Sequence, residues 1–382
     1  MTSVDTPMTA APKPPVAKIN RHDVASQWQL MWWSFKRHRL AMVGLCIVGL
    51  LYFIVLFCEF LAPFDPIQPN RTAVYHPPQG IHLFDRDASG GLIWRPHAIA
   101  YRTVRDPVSL AVGFQPTGGK IDLAFFASGT PYKLWGLIDA DRHLITAKNP
   151  NERFYLLGTD RLGRDMLSRI LYGARISMSI GLVGVSISLV IGLTLGGLAG
   201  YFGGAVDTAV MRLVEFVLSL PTIPIWLALS AAMPPDWPMI LNYFVITTIV
   251  SLVGWTELAR VVRGRFLALK HEDFVLAARL DGASEARVIF RHMLPALSSH
   301  IIAAVTLAVP LMILAETSLS FLGLGLQPPT ISWGVLLKEA QNIRSLAQAP
   351  WLLLPGAGVV LAVLSLNFLG DGLRDAADPY NR

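Results

Sequence analysis

Six apolar runs divide the chain, and each is close to the length of about 20 residues that a helix needs to cross a bilayer. The predicted spans lie near residues 40–61, 176–206, 214–233, 239–258, 301–322 and 351–370. Only residues 234–238 separate the third run from the fourth. The pattern predicts an all-α polytopic membrane protein with six transmembrane helices.

The stretch between the first two runs has a different pattern of apolar and polar residues. Short apolar segments alternate there with Gly-containing turns, as where 81–84 leads through 85–91 into 92–94. Further short runs follow at 123–126, 132–138 and 154–157. Such runs bounded by turn residues are typical of β-strands and hairpins. Residues 63–170 are therefore predicted to form a small β-rich insert, placed outside the cytoplasm.

Composition supports a membrane protein and excludes a single soluble globule. Hydrophobic residues make up 53% of the chain and charged residues 15%, against about 25% in soluble domains. The two cysteines, Cys46 and Cys58, lie in one apolar run and match neither a disulfide framework nor a paired zinc site. The polar tail of 1–39 precedes the first run and does not have the pattern of a cleaved signal peptide.

Positive charge is concentrated in two segments. Residues 1–39 hold six Lys and Arg against two Asp, and residues 260–291 hold seven against four Asp and Glu. With six spans both segments fall on one side, which the positive-inside rule assigns to the cytoplasm. Both termini are thus expected there. The net charge of +6 needs no nucleic-acid partner.

Familiar catalytic and cofactor patterns are missing. Gly118-Gly119-Lys120 lacks the leading Gly and the following Ser or Thr of a phosphate loop. The segment 85–90 begins like a calcium loop but lacks its final Glu, so a plain turn is favoured. Neither HExxH nor GxSxG occurs. We expect no catalytic, cofactor-binding or metal-binding residue on this chain.

Gly192, Gly196 and Gly200 follow one another at four-residue spacing in the second span. Small residues at this spacing allow another membrane helix to approach closely. The alternative is that glycine is simply common in membrane helices. The spacing favours a helix-packing stripe, without indicating which helix it contacts.

Glu316 is the acidic residue placed deepest in a predicted span, one turn before Ser320. An ionisable group inside a bilayer indicates function by default. Glu316 and Ser320 are expected to face a polar cavity or a partner helix. Glu215 and Glu257 fall near the cytoplasmic interface, where a solvated role is expected.

The most specific feature is the cytoplasmic segment after the fourth span. Residues 272–280 predict a short helix, Gly282 supplies a turn, and Ser284 is a suitable N-cap for a second helix that Pro295 ends. Two short helices at a sharp angle would lie across the cytoplasmic face. An ordinary interfacial loop is the plainer alternative, but the basic run before the segment favours a docking surface.

This segment resembles the EAA motif, the coupling loop of ATP-binding-cassette (ABC) importer permeases. The matching positions are Ala277-Ala278, Gly282 with Ala283 and, further on, Leu294-Pro295, while Leu276 and His292 depart from the motif's Glu and Ile. Segments at 157–165, 172–177, 291–295, 332–334 and 370–375 are similar to the dipeptide and oligopeptide branch, to its second permease subunit in particular. The resemblance does not cover residues 64–154.

The resemblance implies a type I ABC importer permease fold and a chain that does not itself catalyse a covalent reaction. The expected parts are a cytoplasmic tail at 1–39, a first transmembrane helix at 40–62, the insert at 63–170, a permease core at 171–376 with a coupling loop at 260–296, and a tail at 377–382. ATP and Mg²⁺ would bind on partner chains. Expected partners are a second permease subunit in a heterodimer, two ABC ATPase subunits, an extracytoplasmic solute-binding protein and membrane lipid.

The implied location is the bacterial cytoplasmic (inner) membrane. The implied cargo is a peptide, a nickel complex, an opine or an oligosaccharide, and the sequence does not choose among them. The alternative function is a secondary transporter or channel that works alone, which predicts inverted repeats and charged groups near mid-membrane. The two halves show no such repeat, which favours the importer.

Overall fold

The computed structural model describes residues 27–86, 91–105, 107, 112–234 and 237–377. Predictions for most of the N-terminal tail (1–26) and for the last residues (378–382) lie outside this part of the chain. Five helical segments are long and apolar enough to span a membrane. They are α2 (Arg39–Leu56), α4 (Met166–Phe202), α7 (Met239–Leu269), α11 (Ser298–Phe321) and the segment Pro350–Ala377, which joins a 3₁₀ turn (Pro350–Leu353) to α14 (Leu354–Ala377). The protein is therefore a multi-pass membrane protein.

The region of the predicted third span, 214–233, is formed by two shorter helices. The structure has α5 (Gly204–Ser219) and α6 (Thr222–Ala231), which meet at an angle of 83°. The break falls at Leu220-Pro221, where Pro221 has no N–H to continue a helix and disfavours helical geometry in the residue before it. The pair forms a broken span or a re-entrant segment, so the described residues contain five or six spans.

The remaining helical elements are short. They are α1 (Gln27–Arg37), α3 (Cys58–Leu61), α8 (Asp273–Leu280), α9 (Glu285–Arg287), a π-helical turn (Val288–Met293), α10 (Leu294–Ala296), α12 (Trp333–Glu339) and α13 (Ile343–Gln348).

The second span starts earlier than its hydropathy indicates. Helix α4 begins at Met166 and carries Arg169 and Arg175 in its first turns. Both guanidinium groups are paired: Arg175 Nη1 lies 2.6 Å from Glu59 Oε1, and Arg169 Nη1 lies 3.1 Å from Asp160 Oδ2. Ion pairing allows charged residues to lie in helical positions that a hydropathy pattern assigns to a loop.

The insert contains a four-stranded antiparallel sheet in the order β1-β2-β3-β4. Its strands are β1 (Ile81–Arg86), β2 (Leu92–Arg105), β3 (Val112–Leu134) and β4 (Ile138–Ala147). The predicted first hairpin is confirmed, because Arg86 pairs with Leu92 and Ile81 with Ala98. The run at 154–157 is not a strand; Phe154 there fills the core beneath the sheet.

The membrane core forms around α4. Helix α7 packs along α4, α11 packs against α4 and α14, and α14 packs against α2. The interior is apolar and includes Met178, Ile246, Ile313 and Trp333, each at most 1% exposed. Burying such side chains fixes the helices relative to one another.

Candidate functional site

The three predicted packing glycines of α4 lie against α7. A Cβ added at Gly196 would lie 2.5 Å from the carbonyl oxygen of Ala259, and one at Gly200 would lie 2.5 Å from the Cβ of Phe266. At Gly192 the nearest atom, the Cβ of Leu258, is 3.0 Å away. The glycines of this stripe therefore lie against backbone or side-chain atoms of α7, and α4 and α7 form a close pair.

Helix α8 follows the C-terminal end of α7 and ends in a Schellman turn. The N–H of Gly282 donates to the carbonyl of Arg279 (3.0 Å), and the N–H of Ala283 donates to that of Ala278 (3.1 Å). Gly282 has φ +78°, a left-handed conformation that glycine adopts without strain. The predicted turn at Gly282 is confirmed, and it reverses the chain.

The second helix is less regular than predicted. The carbonyl of Ser284 accepts the N–H of Val288 (3.0 Å), but the Ser284 side chain makes no capping bond. A π-helical turn precedes Pro295, where the ring has no N–H and would clash with the carbonyl four residues back. After α10, Leu297 joins the segment to α11, and the N–H of Ile301 donates to the carbonyl of Leu297 (3.0 Å). We call residues 272–297 the elbow.

One side of the elbow is anchored to the membrane helices. A buried cluster joins it to α4 and α7; its members are Tyr201, Val262, Phe266, Val275, Ala278, Val288, Met293 and Leu297. The guanidinium of Arg279 also lies 5.1 Å from the centre of the Tyr201 ring. Because these contacts involve both α4 and α7, the elbow is held by the close helix pair.

The elbow also carries exposed apolar side chains outside this cluster. Leu280 is 89% exposed and Phe290 is 71% exposed, and Phe274 and Leu276 are also exposed. The sequence interpretation missed these residues, although apolar positions on both sides of a short helix could have indicated them. The two alanines also separate, since Ala277 is exposed whereas Ala278 is buried in the cluster. Gly282 and Pro295 are exposed, while Ala283 and Leu294 are partly buried.

Glu316 and Ser320, which are expected to face a polar cavity or a partner helix, lie inside the helix bundle. Both are fully buried. The Glu316 carboxylate accepts hydrogen bonds from Ser320 Oγ (2.8 Å) and from Ser177 Oγ of α4 (3.1 Å), and Ser177 Oγ in turn accepts the N–H of Trp333 (3.1 Å). A buried carboxylate needs such partners. Glu316 therefore joins α4, α11 and α12.

An ion-paired network lies at the other end of α4, in the segment 157–165. The Asp160 carboxylate lies 2.6 Å from Arg164 Nε, and Arg164 reaches Glu339 of α12 (3.2 Å). Burial raises the pKa of the Glu339 carboxyl. Complete burial raises the pKa of Asp165, the N-cap of α4, to about 6. These groups tie the last part of the insert to α4 and α12.

Among the residues that the structure describes, no group of three or more His, Cys, Asp or Glu side chains could hold a metal ion. His143 is buried, with Nδ1 2.6 Å from the carbonyl oxygen of Ala62. His292 is partly buried in the π-helical turn.

Two family descriptions match the chain. "Binding-protein-dependent transport system inner membrane component" matches residues 192–382, and "N-terminal TM domain of oligopeptide transport permease C" matches residues 26–78. The chain is 30% identical to a dipeptide transport system permease protein of Haemophilus influenzae, over 98% of each chain. It is 32% identical to a di/tripeptide transport system permease protein of Pseudomonas aeruginosa, over 91% of this chain and 90% of the relative.

An oligopeptide transport system permease protein of H. influenzae is 38% identical, over 64% of this chain and 76% of the relative. The alignment that spans 98% of both chains takes in the insert at 64–154, which the motif resemblance did not cover. Among solved structures, the inward-facing MetNI methionine ABC transporter matches with a TM-score of 0.43 and 17% identity, over 56% of this chain and 98% of that chain.

Proposed function

The chain belongs to the inner-membrane permeases of binding-protein-dependent transport systems, within the dipeptide and oligopeptide branch, and from this premise we propose that it is one permease subunit of an ATP-driven peptide importer. Its relatives are named as permeases for dipeptides, di- and tripeptides and oligopeptides. Members of the family are transport subunits and not enzymes. The cargo proposed for this chain is a short peptide.

The observation that carries the proposal is the two-sided elbow. Its buried side is fixed to α4 and α7, and its exposed side presents Leu280 and Phe290. Large apolar side chains that stay exposed on an element anchored to the protein core are typical of a protein interface. The proposed occupant is an ABC ATPase subunit, which would bind ATP and Mg²⁺ itself. Each of the two ATPases would contact one permease in this way.

The mechanism proposed for this chain is mechanical. When ATP closes the ATPase pair, the elbow moves with it, and because the elbow is packed on α4 and α7 the movement reaches the membrane helices. Such transport requires two conformations of the assembly. We take these to be two arrangements of the α4–α7 pair relative to the second permease. ATP would bias one state and the delivered peptide the other. The chain's own residues transmit force and form no covalent intermediate.

The orientation of the assembly follows the charge pattern. The basic segment 260–291, which continues into the elbow, and both termini are assigned to the cytoplasm by the positive-inside rule. The insert is then extracytoplasmic, on the side from which a solute-binding protein would deliver cargo. A heterodimer with a second, related permease completes the path.

The test is to tag the full-length chain, extract it from its native membrane in a mild detergent and identify what co-purifies. The proposal expects a second permease, one or two ABC ATPases and ATP-dependent peptide uptake after reconstitution. Recovery of the chain alone, able to move solute in vesicles without ATP, would overturn it and support a stand-alone transporter. As a matched pair, Leu280→Lys should reduce ATPase recovery, whereas Ile343→Lys, at a site 83% exposed on α13, should not.

A further inference from the structure

The hairpin that joins β3 to β4 ends in an exposed apolar tip, residues 134–138. Leu137 is 82% exposed, Ile138 is 54% exposed and Trp135 is 45% exposed. The tip itself contains no charged residue. Directly behind it, Lys133 and Asp139 form a cross-strand pair with an N–O distance of 3.8 Å, and both side chains are largely exposed. The apolar tip is thus bracketed by charges.

The tip is fixed to the end of the first transmembrane helix. The indole N–H of Trp135 donates to the carbonyl of Leu56, the last residue of α2, at 2.7 Å. The Trp135 ring lies 6.2 Å from that of Phe57, which lies 4.9 Å from that of Phe53 on α2. The hydrogen bond fixes the tip at the end of the apolar helix α2.

The backbone of the tip is unusual for the residues it carries. Trp135 and Gly136 both have positive φ, +55° and +73°, and the N–H of Leu137 donates to the carbonyl of Leu134 (3.0 Å). Tight hairpin turns with two positive φ values favour Asn-Gly or Asp-Gly. A Trp in the first position is strained, and this strain is compensated by the contact that its side chain makes with α2.

A second aromatic side chain extends the same surface. Phe126 of β3 also has a positive φ of +53°, is 62% exposed, and lies 5.9 Å from the ring of Phe60 on α3. Two of the three non-glycine residues with positive φ in the described chain are therefore aromatic residues packed on the segment 56–60.

We propose that this tip is a membrane-interface anchor, which lies in the boundary between lipid headgroups and acyl chains around the end of α2. Lipid is the occupant favoured by continuity, since Leu50, Phe53 and Leu56 of α2 are exposed apolar residues leading up to the tip. Trp is enriched at this depth because its ring is apolar and its N–H is polar. Lys133 and Asp139 then lie at headgroup level. The anchor rests on the span α2 and is independent of the proposed ATPase contact.

The test compares two leucines of the insert that are similarly exposed. Leu137 is at the β3–β4 tip, and Leu92, 75% exposed, begins β2 in the hairpin at the opposite edge of the sheet. Each is replaced by Cys in a Cys46→Ser background, because Cys46 is exposed whereas Cys58 is buried. A nitroxide label is attached, the full-length chain with its co-purifying partners is placed in lipid nanodiscs, and relaxation by oxygen and by a water-soluble nickel chelate is measured.

The anchor predicts that the ratio of oxygen to nickel relaxation is several-fold higher for Leu137→Cys than for Leu92→Cys. Equal ratios dominated by nickel would mean that the tip is in water and would overturn the proposal. Shielding of the Leu137→Cys label from both reagents would mean that protein covers the tip, and would overturn it in favour of a subunit contact. Adding Trp135→Ala should raise nickel access at the Leu137→Cys label several-fold; unchanged access would contradict the role of Trp135.

Discussion

Small residues serve two different purposes in the α4–α7 pair and in the elbow. In α4, Gly196 and Gly200 leave room for another helix of the same chain, so that an added Cβ would collide with its backbone or Cβ. In the elbow, Gly282 has open space around its Cβ position and is required for its positive φ. The glycines of α4 allow two helices of the chain to pack closely, whereas Gly282 allows the turn that gives the elbow its shape.

The difference shows how one chain can transmit a movement. The α4–α7 contact finds its partner atoms within the chain, whereas the exposed apolar residues of the elbow, Leu280 and Phe290 above all, are left for a partner. Ala278 connects the two regions, because it is buried in the cluster that joins the elbow to α4 and α7. Substitutions in the α4–α7 contact should therefore reduce stability, whereas substitutions of the exposed elbow residues should reduce ATP-driven transport and leave stability unchanged.

The largest effect is expected at the helix contact. Gly196→Leu would force α4 and α7 apart and should cost about 3 kcal/mol of stability, the upper part of the range for overpacked cores. Thermal unfolding of the purified chain in detergent measures this. Gly49→Leu on α2 is the matched control, since nothing lies within 4 Å of a Cβ there. A Gly196→Leu protein as stable as the control would show that the contact does not hold the pair together.

The next effect is expected where the elbow meets the helices. Ala278→Glu would place a carboxylate in the buried cluster and should destabilise the elbow by about 2 kcal/mol, the cost of burying an unpaired polar group. Protease sensitivity of residues 272–297 measures it. Ala277→Glu, one residue away on the exposed side, should leave the elbow folded and reduce ATPase-coupled uptake. Equal protease sensitivity of both variants would contradict the two-sided arrangement.

A smaller effect is expected at the turn. Gly282→Ala must adopt φ near +78° and should cost about 1–2 kcal/mol, the penalty of a left-handed conformation for a residue with a Cβ. Gly282→Asn should cost less, because Asn tolerates this region. Uptake and thermal stability of the two variants should follow the order Gly, Asn, Ala. If Ala and Asn behaved identically, the positive φ would not be the reason for the glycine.

The smallest effect on stability is expected at an exposed ion pair of α5. Arg212 and Glu215 on α5 form an exposed ion pair at 2.9 Å. Pairs of this kind contribute about 0.3–0.5 kcal/mol, so Arg212→Ala should leave the unfolding temperature nearly unchanged. A loss comparable with that of Gly196→Leu would show that surface charge, and not helix packing, sets the stability of this region.

The sequence predicted those parts of the molecule that local chemistry determines. Apolar runs located five helices, alternating short runs identified the sheet, and Gly282 marked a turn. It failed where partners distant in sequence decide. The pairing of Arg175 with Glu59 extends α4 beyond its apolar run, and Ser177 of α4 donates a hydrogen bond to the buried Glu316. The exposed Leu280 and Phe290 were missed because exposure depends on which side of the elbow packs.

The most direct measurement of the coupling claim compares ATP hydrolysis with peptide uptake in proteoliposomes containing the assembled transporter, for Leu280→Lys and Ile343→Lys. A Lys in the last turn of α8 suits the helix dipole, so the first substitution leaves the helix intact. The account predicts that Leu280→Lys loses most of its ATP-driven uptake while its thermal stability is unchanged, and that Ile343→Lys keeps its uptake. Normal uptake by Leu280→Lys would contradict the claim that the exposed side of the elbow receives the ATPase.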